Sequence, residues 1–586
     1  MSAPSGAAGR VVRNVHHGSQ VVPAGTIGPD DTALRAQAVA MDAALPGRPD
    51  EPVAEHDVVF ETPFDYLFDK LAAEFPAHHL DDTDPATTVA RLKALGTAMT
   101  EEEAPPGGEL QAQGNSTIPP VYTYWGQFID HDITLNTDNN QGIADVTRAD
   151  LKPIPPHTVV AGLHNGRLPA LNLDSVYGDG PTFPGDTPTD AADMYDGIRL
   201  QLSEVVAAPG DAIAPADDLE RDLFRSGSST TAVVGDSRND ENLIVAQLHV
   251  AFVRFHNAVL DVVQDAPGDP LDDRALFARV QQLVRWHYQW LVVHDYLKTV
   301  TQTGVVDKVL LGGNKFFTER SGGVYMPLEF SAAAFRFGHT MVRAFYDYNR
   351  NFGRKGNASG RLAPFATFAQ MFAFTGSARD QNGLPRPFDG RSNTTLPGNW
   401  VIEWDRFVDK GAVRPDHFAR RIDTQLAPPL FEMLNQVDNS DPAHPVPVDI
   451  QKLLKALATR NLLRGYALSL PTGQAVAEAL GVPVLSADEL HSGNSASINQ
   501  ALDAGGFQTK TPLWYYILKE AEVKANGNSL GPVGSRIVAE TIIGQIRQDP
   551  YSFLNVPGGW SPAQGVKIDG EPIVSINDLF RFAGVA

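Results

Sequence analysis

Apolar residues recur every three to four positions along most of the chain from about residue 59 onward, which is the spacing of an α-helix with a buried face. Alternation of apolar and polar residues, which is typical of strands, is scarce. The pattern predicts a mainly α protein, a large single helical domain with long loops and little β structure. The segments predicted to be helical are 60–71, 121–135, 242–263, 276–300, 330–346, 365–374, 450–467, 473–480, 513–522 and 534–546.

The segments between these helices are rich in turn-forming residues. Residues 136–157, 178–192 and 377–399 contain much glycine, proline, asparagine and aspartate, so we predict connecting loops there. Residues 1–55 lack a sustained period, and we interpret them as a loosely structured N-terminal arm. Because no repeat, heptad array or clear linker divides the remainder, residues 56–586 are predicted to form one domain.

The acidic composition and the short apolar runs argue against nucleic acids and membranes as partners. The chain has 586 residues, 47 of them basic and 70 acidic, which gives a net charge of −23 at pH 7. This charge repels phosphate backbones and anionic lipids, so we expect no nucleic-acid partner. No run reaches the roughly 18 apolar residues that a membrane helix needs, so we expect no membrane insertion. No motif indicates the oligomeric state.

The absence of cysteine narrows the chemistry of any metal site. It excludes disulfides, thiolate ligands and iron–sulfur clusters, so histidine, carboxylate or tyrosine must bind any metal. Residues 1–10 have no apolar core and do not resemble a secretory signal peptide. We expect a cytoplasmic location or export by a non-classical route, with an extracellular location left open.

Residues 125–132, Trp-Gly-Gln-Phe-Ile-Asp-His-Asp, place an amide, an imidazole and two carboxylates in one apolar helical segment. At about 100° per residue, Gln127 and His131 share a face, Asp130 lies about 60° to one side and Asp132 points roughly 140° away. Any one of them alone is more often a hydrogen-bonded core residue. Together they predict a ligand face, with Asp132 serving a second site behind it.

Three further segments combine polar and apolar residues in the same way. Residues 236–241, Asp-Ser-Arg-Asn-Asp-Glu, open a predicted helix, although helix capping alone would explain much of their character. Residues 335–343 carry a histidine after a glycine, which lets a bulky group approach the backbone. A lone histidine of this sort is more often a core residue than a ligand. Residues 460–465 place Asn461 and Arg464 three positions apart on an apolar helix.

Taken in order, these segments resemble the motifs of the animal-type haem peroxidases, the peroxidase–cyclooxygenase superfamily, and the chain resembles a bacterial member. The resemblance extends over about residues 60–550. The matching motifs are Trp-Gly-Gln-x-x-Asp-His-Asp at 125–132, Arg-x-x-Glu at 238–241, Arg-x-Gly-His-Thr at 336–340 and Asn-x-x-Arg at 461–464.

The resemblance implies haem b with an imidazole on each face. His131 would be the distal acid/base group, Arg238 would stabilise the charge that develops as the O–O bond breaks, and Gln127 would position a water or halide. His339 would be the proximal iron ligand. Asn461 would accept the other ring N–H of His339 through its carbonyl oxygen.

The resemblance also implies how the haem would be held. Arg336 and Arg464 would pair with the haem propionates, and Asp130 and Glu241 match carboxylates that form esters with haem methyl groups. Asn242 stands where strongly halide-oxidising members carry a methionine linked to a haem vinyl, so that third link cannot form.

Asp132 matches the calcium ligand of the family, so Ca²⁺ is a second implied cofactor. The partner loop departs from the family pattern and reads Leu-Pro-Ala-Leu-Asn-Leu-Asp before Val-Tyr-Gly. Its oxygen donors would be the carbonyls of Leu168 and Ala170 and the side chains of Asn172 and Asp174.

The activity implied is reduction of hydrogen peroxide, with oxidation of small phenol-like donors, halide or thiocyanate through a ferryl intermediate, and a role in the response to oxidative stress. Fatty-acid dioxygenases of the superfamily carry a tyrosine three residues before the proximal histidine, where this chain has Arg336. A dioxygenase is therefore the alternative enzyme. A non-enzymatic scaffold that binds haem or calcium is a further alternative.

Overall fold

The computed structural model describes residues 11–15, 18–22, 59–60, 62–100, 114–136, 143–188, 191–226, 230–267, 270–320, 323–353, 362–378, 394–409, 418–433 and 446–586. Most of the predicted arm, 1–55, and most of the predicted loop 377–399 lie outside these residues.

Helices dominate the described residues, which confirms the predicted fold class. A π-helical turn, Val292–Tyr296, connects the helix Asp273–Leu291 to the helix Leu297–Val300. Short 3₁₀ helices include Ser237–Asp240 and Ala334–Phe337. The α-helices are α1 (Asp69–Ala73), α2 (Pro85–Ala98), α3 (Val121–Ile133), α4 (Pro156–Gly162), α5 (Asp174–Tyr177), α6 (Leu243–Gln264), α7 (Asp273–Leu291), α8 (Leu297–Val300), α9 (Val305–Gly312), α10 (Leu328–Ser331), α11 (Gly338–Met341), α12 (Val448–Lys455), α13 (Leu457–Ala467), α14 (Gly473–Leu480), α15 (Ala487–His491), α16 (Ala496–Gly505), α17 (Leu513–Ala525), α18 (Pro532–Gln548) and α19 (Ile576–Phe582).

The strands are short and form small sheets at the edges of the helical core. The strands are β1 (Val11–Val15), β2 (Gly18–Val22), β3 (Val59–Phe60), β4 (Thr62–Asp65), β5 (His164–Asn165), β6 (Tyr195–Asp196), β7 (Arg199–Leu200), β8 (Leu202–Glu204), β9 (Glu220–Leu223), β10 (Met326–Pro327), β11 (Phe345–Tyr346), β12 (Ala366–Thr367), β13 (Lys567–Ile568) and β14 (Glu571–Pro572). Strand β1 pairs with β2 and β3, and β4 pairs with β5 and, in parallel, with β10. The other pairs are β6–β7, β8–β9, β11–β12 and β13–β14.

The core is built around α3 and α6. Helix α6 begins after Asn242, whose side chain accepts a hydrogen bond from the Val245 N–H at 3.1 Å and so caps the helix. Most residues of α3 and α6 are buried, and Phe128 of α3 stacks on Phe252 of α6 with ring centroids 4.7 Å apart. Helix α3 also contacts α11. Helix α3, which carries His131, is therefore packed beside α11, which carries His339.

The predicted helices over 121–135, 242–263, 473–480, 513–522 and 534–546 are confirmed as α3, α6, α14, α17 and α18. Three predictions are wrong in detail. Segment 60–71 contains strand β4 and only the start of α1, because Thr62 and Phe64 are buried while their neighbours are half-buried, which is the alternation of a strand. Segment 330–346 is broken into α10, a 3₁₀ helix, α11 and β11. Segment 365–374 forms β12 and a 3₁₀ helix.

Helix α6 has the length and apolar character of a membrane-spanning helix. Its 22 residues include an 18-residue window with mean hydropathy 1.4, of which 83% is buried inside the protein. Buried core helices can be as long and as apolar as membrane-spanning helices. Among the described residues, α6 is the one helix with this length and hydropathy.

Candidate active site

The distal side of the site lies on α3. His131 is 4% exposed, and its Nδ1 lies 2.9 Å from Oδ1 of Asn239. Burial, followed by the positive charge of Arg238, lowers the pKa of His131 to about 3. The ring is therefore neutral at pH 7, and its Nε2 has no hydrogen bond to any described residue. A neutral imidazole with a free ring nitrogen can accept a proton.

Arg238 is fixed beside His131 by a buried carboxylate. Asp236 caps the 3₁₀ helix Ser237–Asp240 and accepts hydrogen bonds from the Arg238 backbone at 2.9 Å and guanidinium at 2.6 Å. Burial alone would raise the pKa of Asp236, but Arg238 and Arg167 together hold it well below its usual range. Arg238 Nη2 also donates to the His131 carbonyl oxygen at 3.0 Å. The predicted distal pair is therefore brought together in space.

Gln127 faces the segment after Arg238. Its Nε2 donates to Glu241 Oε2 at 3.2 Å, and its Oε1 accepts from Asn242 Nδ2 at 3.0 Å. Gln127 therefore contacts both Glu241 of the Arg-x-x-Glu motif and the next residue, Asn242. At the next position back, a β-carbon on Gly126 would overlap the Tyr296 hydroxyl, so only glycine allows this close approach.

Asp130 connects the distal and proximal sides electrostatically. Burial raises its pKa, while the guanidinium groups of Arg238 and Arg336 act in the opposite direction. These two arginines come from segments about a hundred residues apart in the chain, in the second and third of the four motifs. Asp130 therefore lies within electrostatic range of both.

The proximal side is formed by the 3₁₀ helix Ala334–Phe337, α11 and α13. Arg336 Nη1 donates to Asn461 Oδ1 at 2.9 Å, and Asn461 Nδ2 lies 2.9 Å from His339 Nδ1. Burial, followed by Arg336 and Arg460, lowers the pKa of His339 to about 3. The direction of the hydrogen bond between Asn461 and His339 differs from the expected one. The carbonyl oxygen of Asn461, which was predicted to accept the His339 ring N–H, accepts a hydrogen bond from Arg336 instead. A β-carbon added to Gly338 would meet nothing within 4 Å, so open space lies beside this helix.

Three residues near the site were not predicted from the sequence to act there. Asn239 contacts His131, and Asp236 holds Arg238. Burial, followed by the charge of Arg336, lowers the pKa of Arg460 to about 10, while Glu241 acts in the opposite direction. All three stand inside segments that the sequence had singled out. Arg464, by comparison, is half-buried on α13.

Asp132 points away from the other site residues, as the helical projection predicted. It is fully buried and accepts hydrogen bonds from the backbone of Leu173 at 3.1 Å and of Ser175 at 3.4 Å. Burial, followed by the charge of Asp174, raises its pKa to about 7. Leu171 and Leu173 in this loop have positive φ values of 51° and 62°, which non-glycine residues adopt at an energetic cost.

The other oxygen atoms expected to bind calcium take part in hydrogen bonds. The Leu168 carbonyl accepts from Ala170 N at 2.8 Å, and the Ala170 carbonyl accepts from Gln289 at 2.9 Å. Asn172 Oδ1 accepts from Asp174 N at 3.3 Å. Among the described residues, no group of three or more histidine, aspartate or glutamate side chains is placed to hold a metal ion.

A comparison with protein families identifies the central part of the chain. Residues 176–378 match the animal haem peroxidase family. Over these residues the chain is similar to the animal haem peroxidases, whose name says that they bind haem. The matched region contains Arg238, Glu241, Arg336 and His339, whereas α3 and α13 lie outside it.

Curated relatives agree with the family match. The chain is 24% identical over 299 residues to Peroxidase mlt-7 of Caenorhabditis elegans, covering 48% of this chain and 40% of that protein. It is 22% identical over 283 residues to Peroxidasin homolog pxn-2 of the same organism, covering 40% of this chain and 21% of that protein. The chain thus spans less than half the length of these relatives.

One solved structure has a similar helical fold. The fatty acid alpha-dioxygenase of Arabidopsis thaliana has a TM-score of 0.51 and 14% identity, covering 89% of this chain and 76% of that chain. Peroxidase A of Dictyostelium discoideum has a TM-score of 0.47 and 15% identity, covering 84% of this chain and 90% of that chain. At such identities a structural likeness concerns the fold alone.

Proposed function

We propose that the protein is a haem-dependent peroxidase, which reduces hydrogen peroxide and oxidises small phenol-like donors, halide or thiocyanate. The observation that carries the proposal is the convergence of four distant segments on one site. Arg238 contacts His131, Gln127 contacts Glu241, and Asn461 contacts both Arg336 and His339. These are the residues that peroxide chemistry requires.

His131 would move the proton. Its neutral Nε2 accepts a proton from the attacking oxygen of peroxide and returns it to the departing oxygen, so that water leaves in place of hydroxide. Arg238 stabilises the negative charge that develops on the departing oxygen. Asp236 keeps the guanidinium charged and oriented beside the imidazole. Gln127, held by Glu241 and Asn242, would position a water or halide next to them.

The residues present fit a haem group. The open space beside Gly338 would allow a bulky planar group to approach α11, and the neutral ring of His339 would offer a nitrogen to bind the iron. Bound haem would supply the redox chemistry. If Arg336 pairs with a propionate, Asn461 Oδ1 is released and the amide can turn to accept the His339 Nδ1–H. Arg464 would pair with the other propionate, and Asp130 and Glu241 are the carboxylates proposed to form ester links.

The proposal is tested by adding hemin to the purified full-length chain. We expect a Soret band and steady oxidation of a phenol with hydrogen peroxide. Acid–acetone extraction then reports ester links, because covalently held haem stays with the protein. Oxygen uptake with a polyunsaturated fatty acid, without continuous peroxide, would favour the alternative enzyme, a dioxygenase. A chain that binds hemin and turns over neither substrate would be a scaffold.

We also propose that Asp132, with Asp174, Asn172 and the carbonyls of Leu168 and Ala170, binds Ca²⁺. All are hard oxygen donors, and a carbonyl or carboxylate oxygen with one hydrogen bond keeps a second lone pair. A cation would also offset the repulsion between the two carboxylates.

Asp132→Asn is expected to abolish stabilisation by calcium. Ca²⁺ at about 100 times its dissociation constant should stabilise the unmodified protein by about 2.7 kcal/mol, and the variant by much less. The measurement is thermal unfolding in EDTA, Mg²⁺ and Ca²⁺. Glu520→Gln is a matched control, because Glu520 is a buried carboxylate that accepts backbone hydrogen bonds from Val533 and Gly534 elsewhere. An equal response of all three proteins to calcium would refute the site.

A further inference from the structure

Asn239 lies between two buried imidazoles. Its side chain is completely buried in the 3₁₀ helix Ser237–Asp240. Oδ1 lies 2.9 Å from Nδ1 of His131, and Nδ2 lies 3.0 Å from Nδ1 of His249 on α6. Nδ2 also donates to the Ser175 carbonyl oxygen at 3.4 Å.

The Ser175 carbonyl determines which way the amide points. A carbonyl oxygen can only accept, so the group facing Ser175 must be the NH₂ of Asn239. Reversing the amide would replace this hydrogen bond with a repulsive contact between two acceptor oxygens. The hydrogen-bond inventory around Asn239 therefore fixes its orientation independently of either histidine.

This orientation sets the protonation pattern of both rings. Since Oδ1 can only accept, Nδ1 of His131 must carry the proton, which leaves the lone pair of the neutral ring on Nε2. Since Nδ2 can only donate, Nδ1 of His249 must be the acceptor. One amide thus gives the two imidazoles opposite tautomers.

We propose that Asn239 is a positioning residue that holds His131 in the tautomer with Nε2 free to accept a proton, with the Ser175 carbonyl fixing the amide. The proposal rests on the proposed peroxidase function for its catalytic meaning. The proton taken from peroxide must enter at Nε2, because Nδ1 faces Asn239. A His131 ring protonated at Nε2 would present a donor to peroxide and could not begin the reaction.

The charged groups around His131 do not by themselves select a tautomer. Arg238 donates to the backbone carbonyl of His131, and Asp236 is engaged by Arg238 and Arg167. Asn239 is the described residue whose side chain makes a hydrogen bond with the His131 ring. Removing its oxygen therefore removes the contact that selects the tautomer.

The test compares Asn239→Leu with Asn239→Asp. Leucine has a similar size and no acceptor, whereas aspartate keeps an oxygen that can accept the Nδ1–H. We expect Asn239→Leu to bind hemin normally and to react with peroxide about 10–100-fold more slowly, the range found for lost partners of functional histidines. We expect Asn239→Asp to recover most of that rate. Asn257→Leu is the matched control, because Asn257 on α6 makes two hydrogen bonds to the Leu200 backbone and does not contact His131.

A spectroscopic readout separates this proposal from the proposed function. Histidine-selective ¹⁵N NMR of the full chain, bound to diamagnetic zinc protoporphyrin or free of porphyrin, distinguishes a protonated Nδ1 from a protonated Nε2, and the signal absent in His131→Ala identifies the ring. We expect Nδ1–H in the unmodified protein and Asn239→Asp, and its loss in Asn239→Leu. An Nε2–H form in the unmodified protein, or a peroxide rate in Asn239→Leu equal to that of Asn257→Leu, would overturn the proposal. If the protein shows no peroxidase activity, the NMR result still decides the tautomer.

Discussion

Replacing His131 with alanine is expected to leave haem bound while slowing the reaction with peroxide by about 10²–10⁴-fold, the usual contribution of a positioned acid/base group. Among the described residues, the His131 ring makes one hydrogen bond, to Asn239, and it is the proximal side that is proposed to ligate the iron. Loss of the ring therefore removes proton transfer and leaves the ligand in place. The rate of spectral change after mixing with peroxide measures the effect.

The control for this prediction is His287→Ala. His287 is also fully buried, and its Nδ1 lies 2.7 Å from the Leu283 carbonyl oxygen, on α7 and away from the site. We expect this variant to keep the unmodified rate. If His131→Ala reacted as fast as His287→Ala, the acid/base role of His131 would be refuted, even with the same haem spectrum.

The helices that hold the site were predictable because their buried faces give a regular apolar period. Helix α6 is apolar along nearly its whole length, and α3 combines the period with a dense polar cluster. Helix α2 was missed, since few of its residues are buried. A signal was present there, because Asp84 accepts a hydrogen bond from Thr87 N and Pro85 follows it at the first helical position.

The proximal segment shows where periodicity fails. Residues 330–346 are apolar on nearly all sides, and such a run has no face that fixes a continuous helix. Tertiary contacts instead break it around Arg336 and Gly338, where the backbone changes from 3₁₀ helix to α11. The break places His339 next to Asn461, a residue 122 positions away. Local pattern alone does not reveal such a contact.

The polar contacts inside the site were the least predictable part. The motif resemblance supplied His131, Arg238, His339 and Asn461, but it gave no partner for the ring of His131. Asn239 supplies that partner through a single hydrogen bond whose direction depends on Ser175. The hydrogen bond of Asn461 was predicted with the wrong direction for the same reason, because its carbonyl accepts from Arg336 instead of from a histidine ring. Hydrogen-bond direction depends on every neighbour at once, and spacing in the sequence does not encode it.

Replacing His339 with alanine is expected to eliminate the Soret band at micromolar hemin and to weaken hemin binding by more than about 100-fold, which exceeds the loss typical of a ligand's partner. The physical reason is that the other described residues of the proximal side, Arg336 and Asn461, offer guanidinium and amide groups, which are poor iron ligands. The protein itself should stay folded, because the His339 ring makes one hydrogen bond within the part of the chain that the structure describes, to Asn461. Titration with hemin followed by absorption spectroscopy measures the affinity.

Added imidazole makes this result specific to the ligand. Since the alanine variant leaves space for a ring beside Gly338, free imidazole should enter it and restore a Soret band, whereas Asn461→Leu should keep the band and lower the affinity by about 10–100-fold. His256→Ala is the control for a buried histidine outside the site, where Nδ1 lies 3.1 Å from the Tyr177 hydroxyl. An unchanged spectrum in His339→Ala would place the iron ligand on another residue, and the proximal assignment would have to be abandoned.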